Sequence, residues 1–238
     1  MATTYNTPSV FNYNAPKSDT GLVVYLDAAN PKSWPGSGSV WYDLSGKGNH
    51  CALTNSPTFS NGVANFDGTN NYGTITYNST LDFSAAFTLM MFMRPTGTGG
   101  RGNPWDQAYA GYGSWTDETT GFGSGTPYIT SYFGDLGING NPNTGLGSAT
   151  VPRNAWACMC ITRDTAYHKW YKDGTLTYNT AHTYGSLTTT TNNIRIGFGY
   201  ANPGFWSGAI GTILAYTRTL TAIEVQQNFE RYRARYLV

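Results

Sequence analysis

The stretch WYDLSGKGNH, residues 41–50, gathers Asp43, Ser45, Lys47, Asn49, His50 and two glycines into ten positions, and three chemistries suggest themselves. A phosphate cradle needs a glycine, four residues and then Gly-Lys-Ser/Thr opening a helix, so that successive backbone N–H groups face the phosphates. Gly46-Lys47-Gly48-Asn49 has no hydroxyl after its lysine and no helical pattern behind it. A calcium loop could begin with the oxygens of Asp43 and Ser45. Its fifth position is then the cation Lys47, and its twelfth is Thr54, where a bidentate glutamate is required. A sharp turn between strands fits these residues, because glycine accepts positive φ and Asp, Ser and Asn bond to their own backbone.

The other reactive side chains are scattered. His50, His168 and His182 have no Gly-x-Ser-x-Gly elbow to serve, and each reads as a loop or strand-end residue. Cys158 and Cys160 stand two apart in an apolar run with Cys51 far away. That is neither a disulfide framework nor a zinc spacing, so buried free thiols are expected. A richer group is Trp105, Tyr109, Tyr112 and Trp115, set among glycines with Asp106 and Asp117. Sugar rings stack on such aromatic faces while polar groups read the hydroxyls. The same rings would also suit a subunit interface, or could pin their own loop to its domain.

Composition limits the partners. Charged residues make up only 11% of the 238 positions and the formal net charge is +1, so no long-range attraction to nucleic acid or anionic lipid is expected. No apolar run approaches the ~20 residues that would span a bilayer. The opening MATTYNTPSVFNYNAPKSD lacks the basic and apolar regions of a signal peptide. Residues 1–20 read as an extended arm whose Tyr5, Phe11 and Tyr13 would dock on a partner, in an expected homo-oligomer. Arg231, Arg233 and Arg235 read as a solvated helix flank.

The remainder is patterned for strands. Leu22–Leu26 is a short β-rich run, and residues 87–93 and 156–162 are apolar on both faces, as central, doubly covered strands are. His168–Tyr178 forms a hairpin about Asp173-Gly174, whose composition supplies the positive φ of a tight turn. Strands are also expected at Ile194–Phe198 and Ile210–Tyr216. Between Pro95 and Pro152 lies a long irregular segment holding nearly half of the 29 glycines. One helix is predicted, over 221–236. Thr221 and Glu224 form its capping box, and Val225, Phe229, Tyr232 and Tyr236 form one apolar stripe. Many short strands with a terminal helix predict an antiparallel β-sandwich.

Three stretches carry a recognisable order: VANFDGTNNYGTITY with FTLMMFMRP, then NAWACMCITRDTAYHKWYKDGTLTYN, then NIRIGFGYANPGFWSGAIGTILAYTRTLTAIEVQQNF. Together they resemble the laminin-G-like branch of the concanavalin A-like lectin/glucanase superfamily over residues 21–230. The opening GLVVYLDAANPKSWPGSGSVWYDLSGKGNH is similar to the first part of such domains in tailed-phage structural proteins. The resemblance implies an all-β jelly roll over 21–238 with an N-terminal arm over 1–20. It implies that residues 41–50 are a turn pinned by Trp41 and Leu44. Glycosidases of that superfamily alternate Glu and Asp on one strand, but this chain has only Glu118, Glu224 and Glu230, two of them on the helix, so no enzyme is expected. No cofactor is implied. Many relatives place an acidic pair where Gly211 and Thr212 stand here, although Asp67 and Asn70 could still offer oxygens to calcium. The implied function is a virion structural protein, a capsid decoration or head-fibre protein that touches capsid or tail proteins and weakly holds surface polysaccharide. A tail-associated adhesin for host glycan is the alternative, with a glycosidase third.

Overall fold

A computed structural model describes residues 16, 18–97, 101–107, 111–118, 128–134, 153–181, 191–199 and 204–238; for 101, 111–118, 128–134 and 180 it describes the backbone alone. Among them the chain forms two antiparallel sheets, with strands numbered in chain order. The first runs, in space, β13 (Thr175–Ala181), β12 (Tyr167–Lys172), β11 (Ala157–Arg163), β7 (Phe87–Pro95), β15 (Ser207–Tyr216), β5 (Val63–Asp67) and β4 (Thr58–Ser60). The second runs β10 (Tyr128–Gly134), β9 (Gly111–Glu118), β8 (Arg101–Asp106), β14 (Ile194–Ile196), β6 (Tyr72–Ile75), β3 (Cys51–Thr54) and β2 (Val40–Trp41). β1 (Leu22–Asp27) lies on β15 as well. The long β15 therefore carries β7 along one edge, and on the other carries β5 beside residues 207–210 and β1 beside 212–216.

The doubly apolar runs are the strands covered on both faces. Met91 and Met93 of β7, with Met159 and Ile161 of β11, face the second sheet and meet Trp41, Ile75, Ile194 and Ile196. Met90, Phe92, Cys158 and Cys160 alternate to the opposite face, where the helix α1 (Ala222–Tyr232) covers them. Such alternation follows from the two-residue period of a strand. Phe92 sits among the helix aromatics, its centroid 6.2 Å from Phe229, 5.9 Å from Tyr232 and 4.7 Å from Tyr236. The capping box is formed, with Glu224 N–H donating to Thr221 Oγ1 and Thr221 N–H to Glu224 Oε2. The helix ends at Tyr232, earlier than its apolar stripe, and the chain tightens into a 3-10 turn over Arg233–Arg235 that still buries Tyr236. The expected tight turn is also present, with Asp173 at φ 50° and Gly174 at 76°.

Two sequence expectations are corrected. The stretch between Pro95 and Pro152 contains three strands, β8 to β10. At least one of its glycines serves close packing rather than a loop, since a Cβ on Gly102 would lie 2.9 Å from Trp206 Cα. Nor are the terminal arginines all solvated. Arg235 pairs at 2.7 Å with Asp27, which is fully buried at the end of β1, whereas Arg233 pairs with Glu230 on the open face of the helix.

Candidate functional site

The 41–50 stretch is a turn held by its carboxylate. Asp43 accepts from the N–H groups of Tyr25 (2.8 Å), Ser45 (2.9 Å) and Asn49 (3.0 Å) and from the Ser45 hydroxyl (2.6 Å). Its own N–H donates to His50 Nδ1 at 3.0 Å. Trp41 is buried between the sheets, and Leu44 packs against the helix-side core. Asn49 carries the network outward by donating to Val23 O and Thr80 Oγ1, and it accepts from Asn78 Nδ2 at 2.6 Å.

The other reactive groups are likewise absorbed by the fold. Burial pushes the Cys51 thiol up to about 12, against a backbone hydrogen bond that favours the thiolate, and it leaves all three cysteines as free buried thiols. His168 is the second residue of β12, near the strand end as expected, and is buried beside Trp170; His182 lies outside the described residues. Glu224 is committed to its cap and to Arg218.

The aromatic group singled out from sequence is divided by the structure. Trp105 is 3% exposed and belongs to the core between the sheets, opposite the inward-facing Ile196 of β14. A sugar cannot stack on it there, so of the three roles open to that residue the packing role is the one its position fits. Trp115 lies opposite Trp105 in the β8–β9 register, and Tyr112 is also in β9. Tyr109 lies outside the described residues, as do Tyr5, Phe11 and Tyr13 of the arm. What is described of the arm's root is tied down. Arg218 donates to Thr20 O (2.8 Å) and Ser18 Oγ (2.6 Å), and Tyr216 OH donates to Ser18 O.

A different aromatic cluster stands on the outer face of the second sheet. In β6, Gly73 and Ile75 point to the core, and a Cβ on Gly73 would lie 2.3 Å from Cys51 Sγ. Tyr72 and Thr74 therefore face outward. In β14, Ile194 and Ile196 point inward and Arg195 outward, opposite Thr74 on one side and Asp106 on the other. The chain then turns at Gly197 (φ 82°), which lies against the Phe66 ring, and Phe198 bridges back to Phe205. Phe198 and Phe205 stack with centroids 4.4 Å apart, and Tyr72 stands 5.2 Å and 6.3 Å from them. The Arg195 guanidinium lies 4.8 Å from the Phe198 centroid. All three rings are half-buried and none belongs to either core cluster. The neighbouring Trp206, by contrast, is buried and anchors the platform from below, 6.2 Å from Phe66.

A polar rim borders this platform at the turn between β5 and β6. Asp67 Oδ1 accepts from the N–H groups of Thr69 (2.8 Å) and Asn70 (3.2 Å), Asp67 N–H donates to Asn71 Oδ1, and Asn55 Nδ2 donates to Asn70 O. Slight burial opposes ionisation of Asp67, but these backbone donors outweigh it and hold the carboxyl below its usual range. Asp67 is thus the turn former of the motif, with Asn55, Thr69 and Asn70 exposed around it. The cluster was not found in the sequence, where Tyr72 lies far from Phe198 and Phe205 and each passes for a turn or core residue. The readable signal was Arg195 between two isoleucines, a polar residue marking the outward row of a strand.

Comparison with known proteins concerns the fold. The laminin-G-type model of the concanavalin A-like lectin/glucanases superfamily matches residues 67–226. No curated protein sequence matches the chain. Among solved structures it is similar to domain 4 of AbnA, an extracellular arabinanase from Geobacillus stearothermophilus, solved with arabinotriose. The TM-score is 0.59 at 13% identity, covering 89% of this chain and 99% of that one. It is also similar to the ligand-binding domain of botulinum neurotoxin serotype D solved with N-acetylneuraminic acid, with a TM-score of 0.63 at 10% identity over 90% of this chain and 51% of that one. The receptor-binding domain of the C/D mosaic neurotoxin gives the same TM-score and identity, and this chain spans about half the length of both toxin domains. With two antiparallel sheets, one C-terminal helix and a family match over most of its length, the chain belongs to the concanavalin A-like lectin/glucanases superfamily.

Proposed function

We propose that this protein is a non-catalytic glycan-binding domain whose site is the Tyr72–Phe198–Phe205 platform. The observation that carries the reading is an aromatic floor outside both cores, with Asn55, Thr69 and Asn70 at its edge. Half-buried rings offer apolar faces to sugar C–H groups, and rim amides and hydroxyls both donate and accept, as sugar hydroxyls require. Two solved relatives of this fold hold small saccharides, which supports the assignment. No Glu-x-Asp-x-Glu alternation occurs in the sequence, which supports the non-catalytic reading. For the setting we propose a tailed-phage particle, on the resemblance of residues 21–50 to the opening of such domains in virion proteins. There the arm would dock on capsid or tail proteins, and copies in a homo-oligomer would multiply weak sites. Glycan-array binding of the full chain, compared with Tyr72→Ala and Phe198→Ala, tests the site. The expected result is a loss of at least tenfold in both variants with the far-UV spectrum unchanged. Binding that survives both substitutions in folded protein would refute the platform.

A further inference from the structure

We infer that the saccharide taken by this platform is uncharged. The inference rests on the glycan-binding reading above and adds to it the charge class of the ligand. Among the residues of the second sheet whose side chains are described, the charged ones are Arg195 of β14 and Asp106 of β8. These strands therefore bring the ligand no surplus of positive charge. At the platform itself the described cation is Arg195. Its guanidinium is set over the Phe198 ring at 4.8 Å, and its cross-strand neighbour is Asp106, a carboxylate only 3% exposed. Cross-strand partners share a face, so Arg195 comes to the ligand accompanied by a negative charge.

The rim continues the same balance. Thr54, Asn55, Thr69, Asn70 and Thr74 are neutral donors and acceptors, and the ionised Asp67 stands at the turn from which Tyr72 emerges. A sugar carboxylate on the platform would meet two carboxylates for one arginine. Repulsion from these carboxylates opposes the attraction of Arg195, so an acidic sugar gains nothing over a neutral one. A neutral sugar meets no such cost. Its C–H face lies on the rings and its hydroxyls use the rim.

The test uses the full chain on immobilised neutral polysaccharides (arabinan, galactan, glucan) and acidic ones (polygalacturonate, polysialic acid), at 20 mM and 500 mM salt. Tyr72→Ala and Phe198→Ala, in separate segments of the chain, serve as controls so that one misfolded variant does not decide the result. The expected result is retention on a neutral polymer that changes less than twofold with salt and falls at least tenfold in either variant. Retention on an acidic polymer alone, weakened by salt and abolished by the variants, overturns the charge class and leaves the platform standing. Retention on neither class, or retention unaffected by both variants, overturns the glycan-binding reading itself.

Discussion

Single residues in this protein do their work mainly as hydrogen-bond hubs, in keeping with a chain that carries few charges. Asp43 is one, and its role was legible from sequence, because Asp, Ser and Asn between glycines encode a self-bonded turn through local chemistry alone. Arg218 is the second, and it was not legible, because its partners Ser18, Thr20 and Glu224 come from both ends of the chain. Hydrogen bonds from Arg218 are the main reason the Glu224 carboxyl is held at about 2; burial opposes the shift and the Thr221 backbone and hydroxyl assist it. A carboxyl depressed in the folded state lends stability above its unfolded value of 4.5, and loses it as pH falls from there toward about 2. Arg218→Met should therefore lower stability at neutral pH by about 1 kcal/mol, since the pair is partly exposed, and should flatten the melting temperature against pH below 4.5. Thermal unfolding of both proteins across pH 2 to 7 checks the sign.

At the scale of elements, the strands with two apolar faces and the amphipathic helix could be read directly, since a period of two or 3.6 residues is set by local geometry. Strands β8 to β10 could not. Their glycines resemble a loop to any local rule, yet Gly102 is there because Trp206 leaves no room for a side chain. The platform was hidden for a related reason, since the β3–β6–β14 register, not chain proximity, assembles it. The helix is the element on which the first sheet most depends. Phe229 lies over Phe92 with ring planes 4° apart, and its ring packs against Gly174 in the tight turn between β12 and β13. Truncating a buried aromatic of this kind costs about 3–5 kcal/mol. Phe229→Ala should show that loss in urea unfolding while leaving glycan affinity within twofold, because the platform is on the other sheet.

For the molecule as a whole, the closing contact is the buried pair Arg235–Asp27, which joins the last turn of the described chain to its first strand at 2.7 Å. Asp27 also accepts from Ala29 N–H on Oδ1 and from the Tyr25 hydroxyl on Oδ2, so what Arg235 adds is the charge that balances the buried carboxylate. Arg235→Met leaves that charge buried and should cost about 3–5 kcal/mol; adding Asp27→Asn should recover much of it, measured as a double-mutant cycle by chemical denaturation.

The order in which the chain is made has a bearing on β15. That strand joins β7, β5 and β1, yet it is the last of the described strands to leave a ribosome. Until residues 207–216 emerge, β7 lacks its partner on one side, β1 has none among the described strands, and the helix that covers their outer face does not exist. Long-range pairing of this kind folds slowly, because the entropy of closing the loop is lost before the contacts are gained. The first sheet is therefore completed only once residues 207–216 have been made, and until then its apolar strands are exposed to aggregation.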